Sequence, residues 1–147
     1  MLRIGIAGIG HLGKHHLRLM QEVPGAELAG CFDTDPEVQQ REREKGITVF
    51  NSYESMLEEV DAVDLVVPTD EHYPLAKKAL RDGKHVFLEK PITETLNQGR
   101  ELVSLAGEKG LTFQIGHIER FNPAITSLTF TPLSNRFIDS HRMVQYQ

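Results

Sequence analysis

Cysteine is nearly absent from these 147 residues, with Cys31 the only one. A single thiol permits no intrachain disulfide and excludes a thiolate metal cluster, so Cys31 is expected to be a small buried hydrophobe in a strand. No stretch approaches the roughly 20 consecutive apolar residues of a membrane helix, and no membrane partner is expected. Positive charge is also scarce: 16 Lys and Arg stand against 21 Asp and Glu, a formal net charge of −5. Without a Lys/Arg cluster there is no footprint for a phosphate backbone, and nucleic acid is not an expected partner. The start, Met1-Leu2-Arg3-Ile4-Gly5, runs directly into an apolar strand and lacks the charged, apolar and small-residue regions of a secretory leader. A cytoplasmic location is therefore expected. With 39% hydrophobic residues, 25% charged residues and no low-complexity tract, the chain is long enough for one well-buried core.

What is present is a glycine pattern. Ile4-Gly5-Ile6-Ala7-Gly8-Ile9-Gly10-His11-Leu12-Gly13 is an apolar run that breaks into G-x-G-x-x-G, and Asp33 stands 20 positions beyond the last glycine. A strand before, a helix after and an acid at that distance are the context in which the pattern means dinucleotide binding. Gly8 permits the tight turn, Gly10 lets bare backbone approach a pyrophosphate, and Gly13 lets helix pack on strand. The helix starting near His11 offers free N–H groups and a positive dipole end to that anion. Asp33 ends its strand where a carboxylate hydrogen-bonds a ribose hydroxyl and repels a 2′-phosphate, so NAD is favoured over NADP. The plainer alternatives are a tight turn with no ligand and an Asp that caps a loop.

In chain order the pattern alternates strand and helix. Leu2 to Ala7 is a strand; His11 to Val23 a helix with a one-sided stripe of Leu12, Leu19 and Val23; and Ala26 to Phe32 a second strand. Asp35-Pro36 opens a helix closed by Gly46, almost wholly polar between Gln39 and Lys45 and expected on a solvent-facing flank. Ile47 to Phe50 reads as a third strand, Ser52 as the cap of a brief helix ending near Val60, and Ala62 to Val67 as a fourth strand. That strand runs out into a polar loop, Pro68-Thr69-Asp70-Glu71-His72, at the kind of carboxyl end where ligands sit in open α/β sheets. Tyr73 to Arg81 is a helix, His85 to Leu88 a fifth strand running into Glu89-Lys90-Pro91, and Thr95 with Gln98 forms a capping box for a helix reaching Gly110. Leu111 to Ile115 is a sixth strand. The expected fold class is α/β: a doubly wound, mostly parallel sheet, the Rossmann fold, with strand order 3-2-1-4-5-6.

The combination resembles the glucose-fructose oxidoreductase, inositol dehydrogenase and MocA family. The residues that carry the resemblance are Gly8-Ile9-Gly10-His11-Leu12-Gly13, Asp33, Pro68-Thr69-Asp70-Glu71-His72, Glu89-Lys90-Pro91 and Gly116-His117-Ile118-Glu119-Arg120-Phe121-Asn122-Pro123. It implies a nicotinamide-dependent oxidoreductase acting on a sugar, sugar-nucleotide or cyclitol hydroxyl. It also implies a cofactor lined by Gly8, Gly10, His11, Leu12, Gly13, Asp33, Pro68, Thr69, His72, Glu89 and Lys90. The same resemblance places Lys90 beside nicotinamide and substrate as a catalytic residue, suggests a cis peptide at Lys90-Pro91, and implies a homo-oligomer for the full-length enzyme. On the residues alone, Lys90 is equally a surface lysine paired with Glu89.

Residues 1–121 are expected to form the dinucleotide-binding domain. Residues 122–147 are expected to form a linker helix and the first strand of a C-terminal substrate domain that is cut short, with a His or Asp/His proton carrier in the missing part. The fragment alone is expected to bind NAD and turn over little or nothing, and a non-catalytic dinucleotide sensor is the alternative. His11, His15 and His16 include an i, i+4 pair but have no acidic or cysteine ligand placed with them, so no metal is expected. His72 and His117 either line the cleft or serve as ordinary caps. Glu119, Arg120 and Asn122 either contact substrate or cofactor or tie two domains together.

Overall fold

A computed structural model describes residues 1–128, which begin with six residues of strand, β1 (Leu2–Ala7). There follow α1 (Gly13–Met20), β2 (Ala26–Phe32), α2 (Pro36–Glu44), α3 (Tyr53–Glu59), β3 (Ala62–Leu65), α4 (Thr69–Arg81), β4 (His85–Leu88), α5 (Leu96–Lys109) and β5 (Phe113–Ile115). All pairings are parallel and the sheet order is β2-β1-β3-β4-β5. The strand expected at Ile47 to Phe50 is reduced to a single bridge from Val49 to Cys31, beyond β2. In chain order that bridge occupies the outermost place of the expected sequence 3-2-1-4-5-6, with five full strands in place of six.

Both faces of the sheet are covered, as a parallel sheet requires. Because side chains alternate along a strand, Ala7, Val63, Leu65, Val86 and Leu88 point to one face and pack with Tyr53, Met56, Leu57, Ala76, Leu80 and Leu102 from α3, α4 and α5. Ile6 and Cys31 point to the other, smaller core with Ile9 and Leu17 under α1 and α2. Local chemistry sets the helix starts. The Asp35 carboxylate accepts from Glu37 N–H ahead of Pro36, and Ser52–Ser55 and Thr95–Gln98 each close a reciprocal capping box.

Three expectations are corrected. The helix after the glycine turn starts at Gly13 rather than near His11, and its buried face is Gly13 and Leu17; Leu12, Leu19 and Val23 are about half exposed. The polar segment expected as a loop at Pro68–His72 is helical from Thr69 onward, with Pro68 at the N-cap. Glu42, expected on a solvated flank, is buried, its carboxylate gripped by Arg41 Nε and Lys45 Nζ at 2.8 Å each.

The chain divides into two compact units, Met1–Gly116 and one beginning at His117. In the latter, a 3₁₀ turn, Ile118–Phe121, precedes a short helix, α6 (Pro123–Leu128). The turn expected at Thr131-Pro132 and the strand expected from Arg136 to Val144 lie outside the described residues. Among the described residues no helix is long and apolar enough to cross a membrane.

Candidate functional site

Parallel strands put all their carboxyl ends on one edge of the sheet, and Gly8, Val66 and Glu89 are the residues that leave β1, β3 and β4 there. At Gly8 the chain turns with φ +88°, a left-handed value that L side chains rarely adopt, and a Cβ would collide with the Val66 carbonyl. A Cβ on Gly13 would collide with the Gly8 carbonyl, so the first residue of α1 lies flat on the turn. Gly10 is the opposite case: a Cβ there meets nothing within 4 Å. Two of the three glycines are thus demanded by the protein's own packing, and the middle one is not.

The turn leads into a helix start that no side chain caps. Leu12 stands at the N-cap, the first turn holds no acidic residue, and His11 and Leu12 are exposed. The N–H groups of Gly10, His11, Leu12 and Gly13 find no acceptor among the described residues, which is the donor set an anion needs.

Asp33 closes this loop from the side. Its Oδ2 accepts from Ile9 N–H at 2.6 Å and its Oδ1 from Asp35 N–H at 2.9 Å, while its own carbonyl accepts from Gln39 Nε2 at 2.6 Å. The Ile9 carbonyl in turn accepts from Arg41 Nη2 at 3.3 Å. Asp33 is half-buried and has no cationic partner among the described residues. Its carboxylate therefore presents negative charge beside the glycine turn, with acceptor capacity left over.

The second set of expected residues gathers around the turn after β4. Lys90-Pro91 is a cis peptide, as the resemblance suggested. His72 is 1% exposed, with Nδ1 2.7 Å from the Pro91 carbonyl and Nε2 3.0 Å from the Val67 carbonyl. It ties the start of α4 to the Lys90-Pro91 turn and is not open to solvent. Pro68 is exposed and Thr69 half-buried at the uncapped start of α4. The Lys90 side chain is exposed and makes no hydrogen bond or ion pair among the described residues. The alternative pairing with the Glu89 carboxylate is not formed: Glu89 is buried and turned inward, and only the Lys90 backbone N–H, at 3.3 Å, donates to it.

Sequence reasoning missed what Glu89 turns toward. His16, in the middle of α1, has Nδ1 2.8 Å from Asp64 Oδ2 and Nε2 3.5 Å from Glu89 Oε1. Asp64 is 2% exposed and its Oδ1 has no hydrogen-bond partner. The hydrogen bond to Asp64 raises the His16 pKa above its ordinary value, burial opposes this, and the charges of Asp64 and Glu89 add to the rise. Desolvation pushes the Asp64 carboxyl up in spite of His16. A signal was available in Ala62-Val63-Asp64-Leu65-Val66, because a carboxylate in the middle of an apolar strand must be buried and must find a partner.

Residues 117–128 form their own small arrangement. Asn122 Nδ2 donates to Glu119 Oε2 at 2.8 Å, Asn122 Oδ1 accepts from Ala124 N–H at 3.0 Å, and the Arg120 guanidinium lies 4.8 Å from the centre of the Phe121 ring.

Comparison with known proteins gives a consistent result. Residues 2–117 match the model of the GFO_IDH_MocA oxidoreductase family, described as an NAD-binding Rossmann fold. The chain is 34% identical over 148 residues to a UDP-N-acetylglucosamine 3-dehydrogenase of Acidithiobacillus ferrooxidans, covering 99% of this chain and 47% of that protein. It is 36% identical over 129 residues to the scyllo-inositol 2-dehydrogenase (NAD(+)) of Bacillus subtilis, covering 84% and 37% respectively. Among solved structures, that of the A. ferrooxidans enzyme superposes with a TM-score of 0.80 at 37% identity, over 87% of this chain and 42% of that one. The chain spans less than half the length of these relatives.

Proposed function

Since the chain belongs to the GFO_IDH_MocA oxidoreductase family through its NAD-binding Rossmann domain, we propose that it is the cofactor half of an oxidoreductase that moves a hydride between nicotinamide and the hydroxyl-bearing carbon of a sugar, sugar nucleotide or cyclitol. The observation that carries this is the contrast among the three glycines. Among the described residues Gly8 and Gly13 are filled in by the protein, whereas the space over Gly10 is open, beside four N–H groups without acceptors. A pyrophosphate fits that donor set in charge and in size of approach.

Asp33 supports NAD as the cofactor and argues against NADP. A ribose 2′-hydroxyl can donate to a carboxylate, but a 2′-phosphate beside an unpaired one is repelled. Bound NAD would supply the hydride acceptor. Lys90, exposed and unpaired among the described residues at the same edge, can donate to a substrate hydroxyl oxygen or stabilise it as its proton leaves. His72 holds the turn that carries Lys90. The choice among sugar, sugar nucleotide and cyclitol is assigned to a second domain of the longer protein, as is the proton carrier; relatives named for a sugar nucleotide and an inositol support that range.

The test is a titration of NADH into the purified chain, followed by NADH fluorescence, then turnover of the full-length protein against a panel of sugar nucleotides and cyclitols. Saturable binding with weaker NADPH binding is expected. No saturation refutes the reading, and equal affinity for NADPH refutes the role given to Asp33.

A further inference from the structure

The glycine turn and the Lys90 turn belong to different strands, yet one side chain reaches from the helix of the first to the residue before the second. His16 lies on α1, the helix opened by Gly13, and its two ring nitrogens face carboxylates on two further elements, Asp64 of β3 and Glu89 after β4. The register explains the meeting. Asp64 pairs with Ile6 on one side and Phe87 on the other, and it points to the face opposite Val63 and Leu65, where α1 lies. The Phe87 ring stands 6.3 Å from the imidazole and closes that side of the site.

Two carboxylates this buried, one with an oxygen left unpartnered, are costly without a cation between them. Among the described residues His16 is the only basic side chain paired with either of them. β1 supplies none, since the Arg3 guanidinium is paired with Glu59, and His15 of α1 packs against His11 in the turn before it. A neutral imidazole that donates from Nδ1 to Asp64 would aim the lone pair of Nε2 at the Glu89 carboxylate. A second N–H removes that repulsion and gives Glu89 a donor. Among the described residues no group of three or more His, Cys, Asp and Glu has the geometry to hold a metal, so a proton and not a metal ion is the cation at hand.

We propose that His16 is a positioning residue: as the imidazolium it bridges Asp64 and Glu89 and so fixes the Glu89–Lys90 turn to the helix that begins the dinucleotide site. When it is deprotonated the Glu89 carboxylate loses its charged partner. Glu89 accepts from the Lys90 N–H and abuts Gly116, where a Cβ would strike Glu89 Oε1. The loss is therefore felt at Lys90 and Gly116, both outside the His16 contact itself. Its value for catalysis rests on the proposed role of Lys90; the bridge does not.

The experiment is an NMR titration of the purified chain that follows the His16 imidazole together with the Lys90 and Gly116 amides, with an NADH titration on the same sample. His16 should titrate above its ordinary value of about 6.5, and the two amides should shift with the same midpoint. Glu89→Gln, which keeps the shape and removes the charge, should lower that midpoint. His16→Gln should remove the step from both amides; if it does not fold, Glu89→Gln and Asp64→Asn decide. His16 titrating at or below its ordinary value, or a Lys90 amide with no step at the His16 midpoint, overturns the proposal. Absence of NADH binding alongside an intact His16 step sinks the proposed function alone, and binding without the step sinks this inference alone.

Discussion

The three glycines of the turn should separate in a single alanine series, because they are glycine for different reasons. Gly8→Ala puts an L residue at φ +88° and drives its Cβ into the Val66 carbonyl. Left-handed backbone costs an L residue about 1–2 kcal/mol and overpacking about 1–3 kcal/mol, so about 2–5 kcal/mol of stability should go. That is a large part of the roughly 5–15 kcal/mol of a typical domain. Gly13→Ala collides with the Gly8 carbonyl, whose own peptide is held by Ile9 N–H donating to Asp33 Oδ2 at 2.6 Å, so the neighbour cannot easily move away. Its cost should lie at the upper end of the overpacking range, about 3 kcal/mol. Gly10→Ala meets no atom and has no left-handed φ, so its melting temperature should stay near wild type, within the roughly ±0.5 kcal/mol of a surface change. Its cost should appear only with ligand. A methyl that keeps a pyrophosphate off one N–H forfeits a charged hydrogen bond of about 1.5–3 kcal/mol, which is about 10- to 150-fold in NADH affinity. Thermal melts by circular dichroism and NADH fluorescence titrations on the same three proteins make the test. If Gly10→Ala binds NADH as tightly as wild type, or if Gly13→Ala melts like wild type, the assignment of roles is wrong.

Asp33→Ala removes an acceptor from both Ile9 and Asp35 N–H, so it should lower the melting temperature and narrow the proposed preference for NADH over NADPH; an unchanged Kd ratio would clear Asp33 of cofactor selection. In the full-length protein Lys90→Ala should cut kcat by about 10²- to 10⁴-fold while leaving NADH affinity nearly unchanged, and an unaltered kcat would take Lys90 out of the chemistry. Glu42 sets part of the acid limit. Burial pushes its carboxyl up, but the hydrogen bonds and charges of Lys45 and Arg41 outweigh this and hold it below the usual range. A depressed folded pKa contributes stability that is present above the ordinary value near 4.5 and lost as pH falls through the folded value. Glu42→Gln should therefore flatten the acid limb of stability against pH, and a limb as steep as wild type in urea melts would contradict the assignment.

Most of the sheet could be read from the sequence because its strands are short apolar runs ended by glycine or a polar residue. β1 and β2 have the expected bounds, and both capping boxes that start α3 and α5 rest on side chains within three residues of each other. Long-range placement was less legible. Leu12, Leu19 and Val23 give α1 an apolar stripe, but in a helix of 8 residues the spacing does not say which side is covered, and the sheet takes Gly13 and Leu17. Pro68 marks the end of a strand and the cap of a helix equally well, which hid the helical start at Thr69. Glu42 and Asp64 were hidden by composition: one sits in a charged run and the other in an apolar one, and only the fold brings Lys45 and Arg41, or His16, to them. The glycine turn and Asp33 were readable because three glycines and an acid at fixed spacing mark that chemistry even though Asp33 lies 24 residues from Ile9, and the His16 bridge was not, since its three members, 48 and 25 residues apart, follow no such pattern.

Ile9, between the first two glycines of the motif, is buried and held at both ends of its own backbone, its N–H by Asp33 and its carbonyl by Arg41. A loop fastened in this way has already given up its conformational freedom when the chain folds, so little remains to be lost when a ligand arrives. The glycine turn should then behave as a rigid socket and not as a closing flap, with the same backbone before and after binding. On the proposed role of the turn, affinity at this end would depend on α2 as well as on the turn, since loosening Arg41 of α2, or Asp33 between β2 and α2, would return to the loop the disorder that folding removed.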